Sequence, residues 1–128
     1  MSDIVLDSAA VLAVLLNEPG AGVVLASIGD NTLISTVNLI EVITRLVDTG
    51  STEEWIAEAL GGLGLEVIDH TESQAWQAGM LRAATKQYGL SLGDRVCLVL
   101  ASERGLPVLT ADRQWANVDV GVEVRLCR

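Results

Sequence analysis

Apolar residues fall along this chain in two alternating kinds of run. The short ones are Asp3–Leu6, Thr32–Ser35, Leu65–Ile68, Pro107–Leu109 and Val122–Leu126. They are rich in Val, Ile and Leu and bounded by turn formers, which predicts buried strands. The longer ones predict helices over Ser8–Leu16, Ala21–Ile28, Val37–Val47, Thr52–Leu60, Thr71 to about Gln87, and Asp94–Arg104, with a helical turn at Gln114–Trp115. The punctuation agrees. Asn17-Glu18-Pro19-Gly20 stops the first helix, Ser35 or Thr36 can cap the third, Thr71-Glu72-Ser73-Gln74 is a capping-box sequence, and Gly89–Gly93 is a loop. Strands alternating with helices predict an α/β domain with a mainly parallel sheet. With no repeat, low-complexity tract or linker, residues 1–128 read as one domain.

Composition narrows this picture. Half the residues are hydrophobic and there is no Phe, so the core is built from Leu, Val, Ile and Ala. Such a core suits parallel strands covered on both faces. No apolar run approaches the roughly 20 residues of a membrane span. No basic residue precedes Arg45, so a positively charged secretion leader is not expected, and a cytoplasmic location is. Cys97 and Cys127 lie far apart with no C-x-x-C pair, and His70 is the only histidine, which argues against zinc and against His-based triads. The net charge of −9 argues against a general nucleic-acid coating protein, because nonspecific binding depends on Lys and Arg. It leaves room for an enzyme that meets nucleic acid at one local site.

Four acids carry the candidate chemistry. Asp7 follows Ile4-Val5-Leu6, Asp94 follows Leu90-Ser91-Leu92-Gly93, and Asp112 follows Val108-Leu109-Thr110-Ala111; each stands where a strand or turn gives way to a helix. Glu41 lies within the helix Val37–Val47. Each has an ordinary explanation. Asp7 and Asp112 can be N-caps, Asp94 fits the third position of a capping box opened by Ser91, and Glu41 can pair with Arg45 one turn on. Taken together those explanations weaken. The ends of parallel strands that feed helices face one crevice, and carboxylates gathered there repel one another unless a cation lies between them. Oxygen ligands without His or Cys select Mg²⁺ or Mn²⁺. Arg45, Arg95 and Arg113 lie close in sequence to these acids and are candidates either for local ion pairs or for contacts to substrate phosphates.

In Ile4–Ala13, Val37–Val42, Leu90–Ala101 and Pro107–Ala116 the chain resembles the PIN-domain ribonucleases, specifically the VapC-like toxins of prokaryotic toxin–antitoxin pairs. The segments occur in family order and the resemblance spans nearly the whole chain. It implies a five-stranded parallel sheet of order 3-2-1-4-5 between helices. It also implies RNA cleavage with Mg²⁺ or Mn²⁺ held by Asp7, Glu41, Asp94 and Asp112. Ser8 and Thr110 match family positions whose hydroxyls can hold the ligand carboxylates. A VapB-like antitoxin is the implied protein partner and a homodimer is expected. The apolar faces of Ala9–Leu16 and Val37–Val47 are the surfaces on which an antitoxin helix could lie.

Other readings fit the residues less well. A haloacid-type phosphatase needs a second Asp where Ala9 stands, and a receiver domain needs a lysine after its last strands, whereas Lys86 is the only lysine and precedes them. A catalytically silent PIN-like scaffold for protein interaction has no need of all four acids.

Overall fold

The computed structural model describes residues 3–128. Five strands, β1 (Ile4–Leu6), β2 (Thr32–Ser35), β3 (Glu66–Ile68), β4 (Val108–Thr110) and β5 (Val124–Leu126), form one sheet in the order β3-β2-β1-β4-β5. All four pairings are parallel, with Val5 opposite both Leu33 and Val108. The expected fold and strand order are therefore found.

The helices are α1 (Ser8–Leu15), α2 (Ala21–Ser27), α3 (Thr36–Asp48), α4 (Glu53–Gly61), α5 (Glu72–Met80), α6 (Arg82–Thr85) and α7 (Leu92–Arg104), with 3₁₀ turns at Lys86–Tyr88 and Arg113–Asn117. Alternation along the central strands divides the core. Ile4, Leu6, Ile34 and Leu109 face the layer of α1–α4, where they meet Ala10, Val11, Val42 and Leu46. Val5, Leu33 and Val108 face the other layer and pack on Cys97, Leu98, Leu100 and Trp115. Strands buried on both faces explain why these runs read as continuously apolar rather than alternating.

The helix expected from Thr71 to about Gln87 is not continuous. Its capping box forms as predicted, with Thr71 and Gln74 bonding each other's backbone N–H groups, but α5 ends at Met80. The chain turns at Leu81, whose ψ of −12° opens the helix. Leu81 packs against both the cluster that contains Leu98 and the one that contains Val99, so tertiary packing overrides a local sequence that carries no stop signal. The helix expected to begin at Asp94 starts two residues earlier, at Leu92.

The sheet directs its strand ends to the side where Asp7 follows β1 and Asp112 follows β4. Helix α7 runs against β1, β2 and β4 with its N-terminus towards that same side, and α3 enters from the end of β2. The turn after α1 is tight: Asn17 and Gly20 have φ of 54° and 96°, and a Cβ on Gly20 would meet the Cys127 carbonyl oxygen at 2.8 Å. This contact ties the first helical hairpin to the strand that ends the sheet.

Candidate active site

All three aspartates bond the backbone at the start of a helix, Asp7 and Asp112 as N-caps and Asp94 as the third residue of a capping box. Asp7 Oδ1 accepts from Ala10 N at 2.8 Å and opens α1. Asp112 Oδ1 accepts from Gln114 N at 2.9 Å and opens the 3₁₀ turn that wholly buried Trp115 anchors in the core. Asp94 Oδ2 accepts from Ser91 N at 2.9 Å, while Ser91 Oγ accepts from Asp94 N at 3.2 Å, which is the capping box the sequence suggested. Each cap leaves acceptor capacity on its carboxylate, since one ionised carboxyl offers about four lone-pair sites.

One hydroxyl aligns two of these acids. Thr110 Oγ donates to Asp7 Oδ2 and accepts from the backbone N–H of Asp112 at 3.0 Å. Adjacent strand ends are thereby held in register through a side chain at the last residue of β4. Ser8, the other hydroxyl singled out, opens α1 half-buried, and among the described residues it makes no hydrogen bond to any of the four acids.

Glu41 does not pair with Arg45. Its Oε1 accepts instead from Asn38 Nδ2 at 3.0 Å, and the same amide nitrogen donates to the carbonyl of Gly93 at 3.0 Å. Gly93 immediately precedes Asp94, and a Cβ built on it would stand 2.3 Å from Glu41 Oε2. The Glu41 carboxylate therefore rests directly over the first turn of α7, beside Asp94. Asn38 and Gly93 were not singled out from the sequence. Their only local signal is an Asn one turn before Glu41 and a Gly next to Asp94.

Electrostatics show the four as one cluster. Asp7 is almost completely buried, and burial above all, with smaller contributions from Asp94 and Asp112, pushes its carboxyl up to about 7 against the opposing bonds from Thr110 and Ala10. Asp94 is raised mainly by burial, with Asp112 and Glu41 adding to it. The Cys97 thiol beneath them is pushed well up by its own burial and then by Asp7, Asp94 and Glu41. Among the described residues the ion pairs are Arg125–Glu123 and Arg128–Glu18, and neither involves these acids. Among the described residues no Lys, Arg or His side chain forms an ion pair with the cluster.

Of the three arginines considered for substrate contact, Arg45 and Arg113 are exposed. Arg95 is tied back into the fold: its Nη1 donates to the Ala78 carbonyl at 3.0 Å and its Nε to Ser91 O at 3.4 Å, so it bridges α7 to α5.

The donor set suits a hard divalent cation. It is all oxygen, it is anionic, and it includes a carboxyl that burial, and to a smaller degree its acidic neighbours, raises. No three acidic, His or Cys side chains among the described residues converge as closely as metal ligands do. Like charges oppose closer convergence.

A family model described as "PIN domain" matches residues 4–121, and the chain belongs to the PIN-domain family. Solved structures of toxin–antitoxin proteins share its fold. The DNA-bound VapBC of Salmonella typhimurium aligns with a TM-score of 0.74 at 21% identity over 100% of both chains. VapC20 of Mycobacterium tuberculosis, described as a sarcin-ricin loop cleaving toxin, aligns with a TM-score of 0.69 at 18% identity, over 94% of this chain and 98% of that one. VapBC-5 of the same organism, a member of the VapBC family of toxin–antitoxin systems, aligns with a TM-score of 0.62 at 25% identity over 99% of each chain. No curated protein matches the chain in sequence at a significant level.

Proposed function

We propose that this PIN domain is a Mg²⁺- or Mn²⁺-dependent endoribonuclease that acts as the VapC-like toxin of a toxin–antitoxin pair. The observation that carries the reading is that Asp7, Glu41, Asp94 and Asp112 stand close enough at neighbouring strand and helix ends for their charges to raise the carboxyls of Asp7 and Asp94, with no ion pair to any of them among the described residues and with Asp7 almost completely buried. A protein-interaction scaffold has no use for such an arrangement. All four acids would hold the metal, which when bound neutralises their charge and acts as a Lewis acid towards a phosphodiester.

The chain's own residues supply orientation. Backbone caps fix the three aspartates on rigid helix starts, and Thr110 sets the rotamer of Asp7 and the approach of Asp112. Such support holds ligands in place and typically affects metal affinity 10–100-fold, in order-of-magnitude terms. Arg45 and Arg113 are exposed and would meet RNA phosphates beside an otherwise repulsive site. Arg95 is better explained as a structural bridge.

For the antitoxin, the surface shifts from the expectation. Helix α1 is buried or half-buried along its whole length and presents no free apolar face. Helix α3 presents one: Ile40 and Val47 are 61% and 56% exposed, and Ile43 and Val47 line a groove with Ile56, Ala57 and Leu60 of α4. An apolar antitoxin segment in that groove, carrying a basic residue towards the acids, would inhibit by competing with metal. Among the described residues no helix is long and apolar enough to cross a membrane.

The test is cleavage of RNA by the purified protein with Mg²⁺ or Mn²⁺, with and without chelator. Metal-dependent cleavage that disappears on chelation is the expected result. A folded protein that leaves RNA intact under all conditions would overturn the reading.

A further inference from the structure

Glu41 is the one member of the cluster that caps no helix, so something else must hold it. We infer that Asn38 and Gly93 form a bracket that fixes the Glu41 carboxylate for metal binding, with Asn38 as a positioning residue; the inference rests on the metal site proposed above.

Asn38 is only 1% exposed and stands in the first turn of α3. Its amide nitrogen bridges two elements, donating at 3.0 Å to Glu41 Oε1 and at 3.0 Å to the Gly93 carbonyl of α7. Its Oδ1 is buried with no partner among the described residues. A buried, half-satisfied amide is an unfavourable choice for a helix that an apolar residue could fill, so both N–H groups must be in demand. A neutral amide is also the suitable clamp. It fixes one oxygen of the carboxylate without cancelling its charge, whereas Lys or Arg at the same place would compete with a cation.

Gly93 completes the bracket by what it lacks. Its virtual Cβ would lie 2.3 Å from Glu41 Oε2 and 2.6 Å from both Oε1 and Cδ, closer than real contacts allow. The carboxylate occupies the space that any other residue at position 93 would take. The two residues lie 55 apart in sequence, bond each other, and both bear on the Glu41 carboxylate.

The experiment is a Mn²⁺ titration without RNA, followed by the electron paramagnetic resonance of free Mn²⁺, on the wild type, Asn38→Leu and Gly93→Ala. Leu keeps the branched heavy-atom outline of Asn, with somewhat larger tips, and removes the orphaned acceptor. Ala favours the helix and should displace only the flexible end of Glu41. Both variants should fold, with thermal midpoints in chelator close to the wild type, and both should bind Mn²⁺ about 10–100-fold more weakly. Raised Mn²⁺ should restore cleavage with the KM for RNA unchanged. In a Glu41→Gln background, Asn38→Leu should cause no further loss of affinity, because it acts through Glu41. Unchanged Mn²⁺ affinity in folded Gly93→Ala overturns the bracket while leaving the metal site standing. A wild type that binds no Mn²⁺ overturns both.

Discussion

Asp7 carries a charge that the folded chain does not accommodate well, and replacing it should make the metal-free protein more stable while silencing it. The folded chain keeps its proton on Asp7 up to about pH 7, whereas the unfolded chain releases it near 3.8. Between those values the folded state binds the extra proton, so Asp7 makes stability fall as the pH rises. Once both forms are ionised the penalty reaches about 4 kcal/mol. From about pH 5 to about pH 8 the part that changes is about 2.5 kcal/mol. In Asp7→Asn the side-chain oxygen can still accept from Ala10 N, but the Thr110 hydroxyl loses its acceptor, at a cost of about 1 kcal/mol. The variant should therefore match the wild type within about 1 kcal/mol near pH 5 and exceed it by about 3 kcal/mol near pH 8. The assay is thermal or urea unfolding of both proteins in chelator across this range, and the difference between the two curves isolates Asp7 from the remaining acids. A gap in midpoint that widens by about 10 °C is expected. Mn²⁺ at the higher pH should then stabilise the wild type and not the variant, and RNA cleavage by the variant should be lost. Parallel pH curves would show that Asp7 is not an uncompensated buried charge, and the case for a cation there would fall.

Asp94→Asn keeps an oxygen for the Ser91 N–H while losing charge, so it should leave stability in chelator unchanged or slightly raised and reduce cleavage by about 100-fold or more; cleavage at the wild-type rate would make Asp94 a cap and nothing else. Arg113→Ala should raise the KM for RNA with little change in Tm, whereas Arg95→Ala should lower Tm through loss of the α5–α7 bridge. Kinetics and thermal melts that reverse this split would refute the division between them. Ile43→Asp places a charge in the α3–α4 groove and should weaken antitoxin binding by more than about 10-fold while cleavage of RNA continues, as read by calorimetry and a cleavage assay.

Much of the scaffold was legible because it follows from local pattern. Ile4-Val5-Leu6 before Asp7 predicts a buried strand ending at a cap, and the Ser91–Asp94 and Thr71–Gln74 capping boxes form as their spacing suggests. Strand order is a nonlocal property. It entered through family resemblance, since nothing in Val124–Leu126 alone specifies pairing with β4 rather than β3. The errors have the same origin. The break at Leu81 answers to contacts with α7. The apolar face of α1 is consumed by the core rather than offered to a partner. Glu41 and Arg45 have good i,i+4 spacing, yet Glu41 turns to Asn38 and Gly93 because a partner 52 residues away in sequence occupies the adjacent space. The four acids could be named from the sequence; the means by which Glu41 is held could not.

The caps on Asp7, Asp94 and Asp112 have a consequence for how such a protein can be controlled. Where ligands lie on loops that the ion itself organises, removing the ion unfolds the site, and the metal acts as a staple. Here the aspartates are held by backbone hydrogen bonds at the starts of helices. Ion loss should then leave a folded, idle molecule that regains competence on the timescale of diffusion and ligand closure rather than of refolding. On the proposed metal site, metal supply would act as a switch without hysteresis.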